Sequence, residues 1–232
     1  QLFCNLLYDY HRDLDSPKDL LRSLKRRSFD DWQRYFSKMK NDHLNERRQH
    51  RYNESLNTKK LDKRLTELTE SYEALLVVSI ELSYIPNVNI QRVEDDLERF
   101  LRKVKRSKYG DDVLLLVWAL EQGSKSKGYH CHITFIFDER DRIGAWTIAN
   151  DMGELWEDIT DGEGRYFNCH DRRYLKQYEE NGVVGIGVIY SKLPYQVKKM
   201  RSVVTYSARP EKEQHLRIKT TKKMKTFGMS QR

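Results

Sequence analysis

Apolar positions along the chain follow two periods, and the points where one gives way to the other divide it into segments. Residues 73 to 84, EALLVVSIELSY, form a β-rich run that Pro86 ends, as expected of a strand. In VEDDLERFLRKV, Val93, Leu97, Phe100, Leu101 and Val104 recur at helical spacing, which predicts an amphipathic helix. After Gly110 the period shortens again, and residues 113 to 122 and 129 to 137 read as two strands joined by GSKSKG. Ala145, Ala149, Met152, Trp156 and Ile159 mark a second helix, broken by Gly162 and Gly164. RYFNCHD is a short extended piece, and GVVGIGVIY (182 to 190) is a further strand. Pro194 opens a last helix that Pro210 must close. Upstream, residues 1 to about 73 are highly charged and contain only Pro17 and no Gly; SPKDLLRSL places Ser16 as cap and Pro17 at the first helical position.

Strand, helix, strand, hairpin, strand, helix, strand is the split βαβ order. The expected fold is therefore α+β, an antiparallel sheet of ferredoxin-like or RNA-recognition-like topology with helices on one face and a helical N-terminal extension. Residues 1–72 form the charged extension and 73–232 the sheet domain with a basic C-terminal tail. In this topology the strand 129 to 137 lies between the other two long ones.

That placement matters because YHCHITFIF carries His130 and His132 on alternate positions, so both imidazoles project from one face. If GSKSKG is the connection, antiparallel pairing sets Gln122 opposite Tyr129 and Glu121 opposite His130, which puts a carboxylate on the same face. Two imidazoles and an acid make a divalent-metal site; half-buried strand histidines bonded to neighbours would give the same pattern. Glu81, on the other neighbouring strand, is a second candidate acid. The last helix offers Tyr206 and Arg209, three apart and so on one face, a phenol beside a cation suited to attack on a phosphoryl group. Tyr195, in YQVK, lies 11 positions before Tyr206 on nearly the same face but about 16 Å away along the axis. A structural zinc site from His130, Cys131, His132, Cys169 and His170 is disfavoured, since no CxxC exists and Cys131 points away from the flanking histidines.

Charge sharpens the partner. The formal net charge is +8, yet residues 192 to 232 hold 12 Lys and Arg against two Asp and Glu, leaving the rest at −2. A basic segment beside a metal site fits a phosphate backbone, although a solvated tail would look the same. Three cysteines without a CxxC point to a reducing, intracellular setting. The longest apolar run, VLLLVWAL, has eight residues, far short of a membrane span. The chain starts at Gln1, not Met, which points to a processed chain or a piece of a longer one.

Taken together, EQGSKSKGYHCHITFIF, DITDGEGRYFNCHD, GVVGIGVIY, VVTYSARPEK and KTFGMSQR resemble the filamentous-phage (inovirus) gene-two-type replication protein family, one of the HUH endonucleases of rolling-circle replication. The resemblance covers roughly residues 73 to 232. It implies an HUH endonuclease fold and a site-specific, single-strand DNA nicking and joining enzyme. His130, Cys131 and His132 fall on the HUH motif, Glu121 on the acidic third ligand, and Tyr206 on the tyrosine of the Y-x-x-K segment. Arg209 stands where the family has lysine; it can clamp phosphate but not exchange a proton at neutral pH. Pro210 directly after it is also unusual.

The implied cofactor is Mn²⁺ or Mg²⁺ held by His130, His132 and Glu121, and the implied product a 5′-phosphotyrosine on Tyr206 with a free 3′-hydroxyl. The implied partners are single-stranded or origin DNA and a host replication helicase or polymerase, in the cytoplasm of a bacterial cell carrying a phage or mobile element. Lys125, Lys127, Lys198, Lys199 and Arg201 are the expected phosphate contacts, with Lys219, Lys222, Lys223 and Lys225 extending the track. The alternative is a non-catalytic basic nucleic-acid-binding module on the same fold, acting in regulation or origin recognition. A single-strand transposase of the same superfamily would rejoin element ends instead of nicking one origin.

Overall fold

The computed structural model describes residues 28–84, 88–123, 128–141, 144–180, 184–206, 208 and 224–230. Two compact units divide the chain, Gln1–Asn53 and Glu54–Arg232. A helix, α1 (Phe29–Ser71), supplies the described part of the first unit and opens the second. In the first unit Trp32, Tyr35 and Phe36 pack ring against ring, with centroids 5.8 to 5.9 Å apart. The second unit begins at Glu54, earlier than residue 73, because Leu61, Leu65 and Leu68 of α1 are buried in the core of the sheet unit.

Six antiparallel strands form the sheet: β1 (Ala74–Tyr84), β2 (Leu115–Gln122), β3 (Tyr129–Asp138), β4 (Gly164–Asn168), β5 (Gly187–Tyr190) and β6 (Phe227–Met229). Their order is β4-β1-β3-β2-β6, with β5 also on β1, and its first four members are compatible with a ferredoxin-like arrangement. As expected, β3 is central. β1 connects to β2 through α2 (Ile90–Arg106), and β3 to β4 through α3 (Ala145–Ile159). Asn89 caps α2 by accepting from the Gln91 amide, and Val93, Leu97, Phe100 and Val104 are buried along its expected stripe. They meet Ile148, Ala149, Met152 and Trp156 of α3 over Leu76, Val78, Ile80 and Leu82 of β1 and Ile133, Phe135 and Phe137 of β3.

The expected one-sided helical layer needs correction. Leu75 and Val77 of β1, Leu115 and Val117 of β2 and Ile136 of β3 point to the second face, where Leu61, Leu65 and Leu68 of α1 and Met200 and Val204 of α5 (Pro194–Tyr206) bury them. Seven consecutive buried residues, 74 to 80, follow from this two-sided cover. Each apolar side chain so buried contributes about 1.5–3 kcal/mol. α5 ends at Tyr206, and Pro210 lies outside the described residues.

The fourth strand of the split order also differs. RYFNCHD, expected only as an extended piece, supplies β4, which pairs with Ile80–Tyr84 of β1. Asp161 (φ 53) and Gly162 (φ 77) turn the chain from α3 straight into it; such left-handed backbone suits glycine and tolerates aspartate. The expected strand at 182 to 190 shortens to β5, pairing with Ala74–Val77 further along the same edge. α4 (Arg172–Glu180) joins the two. In the gap between them the Ser79 amide donates to Nε2 of His170 at 3.0 Å, so an imidazole stands in for a strand. Burial holds that imidazole well below its ordinary range, at about 4.

Among the described residues no helix is long and apolar enough to cross a membrane.

Candidate metal centre and the groove beside it

The hairpin register is the one its turn length implies. Gln122 faces Tyr129 and Glu121 faces His130, while on the other side of β3 Glu81 faces His132. Residues paired across strands lie on one face, so the second face of the sheet gathers Glu81, Glu121, His130 and His132 at one end.

Nε2 of His130 lies 3.4 Å, and Nε2 of His132 3.5 Å, from the same Glu121 carboxylate oxygen. The rings stand nearly perpendicular, 86° apart, with centroids separated by 5.2 Å. One ligand atom from each of the three residues lies within 4.8 Å of the others, and among the described residues this is the one cluster of three or more metal-ligating side chains. The spacing discriminates between uses. It exceeds an ordinary charge-assisted hydrogen bond of about 2.7–2.9 Å, but donors bound at about 2.1 Å around one cation sit roughly 3 to 3.4 Å apart.

Burial supports the same use. Glu121 is 0 % and His130 4 % exposed, whereas the His132 side chain keeps 30 % of its surface open. Nδ1 of His130 is buried with no hydrogen-bond partner among the described residues, while its Nε2 faces the Glu121 oxygen. Cys131 points into the opposite core, where burial first and the Glu121 charge second push its thiol far up and keep it a neutral thiol. His132 also offers Nδ1 to a Glu81 oxygen 3.8 Å away. The Glu121, His130 and His132 cluster could thus hold a metal ion from the second face of the sheet.

His132 opens into a groove of about 760 Å³. Its floor includes Ser79 and Thr134, whose hydroxyls are 3.0 Å apart. One wall is α5, where Tyr195, Lys198, Lys199, Ser202 and Tyr206 form a stripe of helical period. Met200 and Val204 lie buried on the sheet side of the same helix, so the split was imposed by the 3.6-residue repeat. Tyr206 is 51 % exposed and Tyr195 is exposed as well, with Nζ of Lys199 over the Tyr195 ring at 5.4 Å. The facing wall is α4 with Tyr174, Leu175 and Tyr178.

Several expected residues are therefore brought together: Glu121, His130 and His132 as a cluster, and His132, Tyr206, Tyr195, Lys198 and Lys199 on one groove. Arg201 is not among the groove's lining. Its guanidinium reaches Asp62 and donates to Thr66 at 2.7 Å, clamping α5 to α1. The guanidinium expected to meet phosphate is thus engaged with α1. Lys125, Lys127, Arg209, Lys219, Lys222 and Lys223 lie outside the described residues. His170 serves the β1 edge, and Cys169 borders the groove with its thiol pushed up to about 12 by burial and then by Glu81. The α4 aromatics escaped the sequence reading, although their i, i+4 spacing in RRYLKQYEE was a usable signal.

No family model matches the chain, and neither the curated proteins nor the solved structures contain a match to it.

Proposed function

We propose that this chain is a metal-dependent nicking and joining enzyme for single-stranded DNA, an initiator of rolling-circle replication of the HUH type. One observation carries the reading: the phenol of Tyr206 and the outward imidazole of the Glu121, His130 and His132 cluster line the same groove. The sequence resemblance set out above points to the same chemistry.

His130, His132 and Glu121 would hold Mn²⁺ or Mg²⁺, the imidazole nitrogens favouring Mn²⁺. A bound divalent cation supplies Lewis-acid charge to the oxygens of a scissile phosphate. Tyr206 is the nucleophile. Its oxygen forms a bond to phosphorus as the bond from phosphorus to the 3′ oxygen breaks; the phenolic proton leaves to solvent and the 3′ oxygen takes one up. The products are a 5′-phosphotyrosine and a 3′-hydroxyl able to prime synthesis. Attack by a 3′-hydroxyl on that phosphotyrosine reverses the step and rejoins strands without ATP. Lys198 and Lys199, on the same helix stripe, hold the incoming backbone, and Tyr195 stands too far along the helix to share the phosphate with Tyr206.

Incubation with a randomised pool of single-stranded oligonucleotides and Mn²⁺ tests this. The expected result is an SDS-resistant protein–DNA adduct that EDTA prevents and Tyr206→Phe abolishes. DNA binding with no adduct at any metal concentration would identify a non-catalytic module instead.

A further inference from the structure

The groove beside the candidate centre has two chemically different walls, and the proposed nicking step uses only one of them. On the α4 side, Phe167 of β4, Tyr174 and Tyr178 form a continuous aromatic ladder with centroid separations of 4.8 and 4.7 Å. It starts beside the centre, because Phe167 pairs with Glu81 across the strands and so shares the histidine face. The ladder is oriented in advance: the Tyr178 hydroxyl donates to that of Tyr174 at 3.0 Å, and Tyr178 is still 38 % exposed. An α4 without a buried residue has no core to account for two tyrosines one turn apart. Across the groove, the α5 wall brings two cations, Lys198 and Lys199, between Tyr195 and Tyr206. Among the described residues neither Lys198 nor Lys199 is tied to a carboxylate.

An aromatic wall facing one that carries two cations across a groove of about 760 Å³ matches the two halves of a nucleotide, a flat apolar base and an anionic phosphate. We propose that this groove seats an unpaired nucleotide of single-stranded DNA, its base stacked on Tyr178 and Tyr174 and its phosphate held by Lys198 and Lys199. This rests on the nickase reading for the choice of DNA and adds to it a subsite that requires the strand to be unpaired. A base held in a duplex keeps its faces against its neighbours and cannot present one to Tyr178. Selection for single strands is therefore built into the wall opposite the nucleophile.

The test is binding to the full-length chain in EDTA, where neither metal nor cleavage contributes, read by fluorescence anisotropy. The probes are a labelled oligothymidylate, the same strand with abasic sites, its duplex, and an oligouridylate. Tyr178→Leu is expected to weaken oligothymidylate binding roughly 5- to 150-fold, the usual size of one base–aromatic stack, and to leave the abasic strand unchanged. Lys198→Gln with Lys199→Gln should weaken both strands and make the log–log salt slope shallower by roughly one. Tyr178→Trp should keep the affinity and have its added fluorescence quenched by the bound base, which gives a readout if the leucine variant folds poorly.

Equal losses for abasic and normal strands, no loss in either, or no quenching of the tryptophan would overturn the stacking site. Duplex bound as tightly as single strand would overturn it too, and oligouridylate bound tenfold tighter than oligothymidylate would overturn the assignment to DNA. The two readings fail separately. Base-dependent binding without covalent adducts removes the nickase and leaves the subsite, whereas adducts with unaltered binding by Tyr178→Leu remove only the subsite.

Discussion

The second face of the sheet is two surfaces on the same three strands. Toward one end β1 presents Leu75 and Val77, β2 presents Leu115 and Val117, and β3 presents Ile136, all under α1 and α5. Toward the other end the same strands present Glu81, Glu121, His132 and His130. The change falls across two successive levels: Ser79 and Thr134 pair beside Val117, and the next level pairs Glu81, His132 and Ala119. Strand alternation fixes which residues reach this face, but where helices stop covering it decides whether those residues can be polar. The apolar end anchors the helices, and the polar end opens through His132 onto the groove.

The sharpest way to break this division is to exchange what each end should lose. Leu65→Ala, in the apolar half, is expected to cost about 2–5 kcal/mol of stability by urea unfolding, because it leaves a cavity under a side chain with no exposed surface. The rise in melting temperature caused by Mn²⁺ should survive in that variant. His132→Ala, in the polar half, should abolish the Mn²⁺-induced rise and the DNA adduct while changing stability in EDTA by only about 1 kcal/mol. A Leu65→Ala protein that loses metal binding with its fold intact would show that the two halves are not separate.

A smaller effect is expected at the boundary. His170 accepts the Ser79 amide and stays neutral in the folded protein down to about pH 4, whereas in the unfolded chain it takes a proton near pH 6.5. Its folded-state value is depressed, so the unfolded chain binds more protons between these limits and stability falls as pH drops through them. Full burial of the effect is worth about 3 kcal/mol from pH 7 to pH 4. His170→Gln keeps an acceptor for Ser79 without the titration, so its urea midpoint should fall less steeply with acid. Identical pH profiles for the two proteins would remove His170 from the acid response.

How much of this was legible in the sequence depended on whether a signal was local. The Glu121–His130 pairing followed from counting turn residues, since an antiparallel hairpin leaves no other register once its connection is set. The stripe of α2 and the central place of β3 were equally accessible. The second helical layer was missed because Leu61, Leu65 and Leu68 are spaced among charged residues in a helix of low mean hydropathy. The uninterrupted burial of residues 74 to 80 is its trace in β1, where alternation would mark a sheet covered on one side only. β6 was missed for another reason. Three residues carry no period, and Gly228 is required there because a Cβ would strike the Trp118 indole at 2.5 Å. The α4 aromatics were overlooked because their helix buries no residue in the core, so its pattern pointed nowhere until the opposite wall was in place.

The subtlest division lies within the polar half, between the two carboxylates that flank His132. Glu121 faces Nε2 at 3.5 Å and shares its oxygen with His130; Glu81 faces Nδ1 at 3.8 Å, on the far side of the ring. An imidazole that binds a cation through Nε2 carries its proton on Nδ1, and a carboxylate there fixes the tautomer and raises the basicity of the ligating nitrogen. On the proposed metal-binding reading, Glu81 would position His132 and Glu121 would be a ligand. Glu81→Gln should lower Mn²⁺ affinity roughly 10- to 100-fold in calorimetric titration while leaving one ion bound per chain. Glu121→Gln should leave none. If Glu81→Gln abolished binding while Glu121→Gln only weakened it, the two acids would have exchanged roles, and the metal would sit on the β1 side of His132.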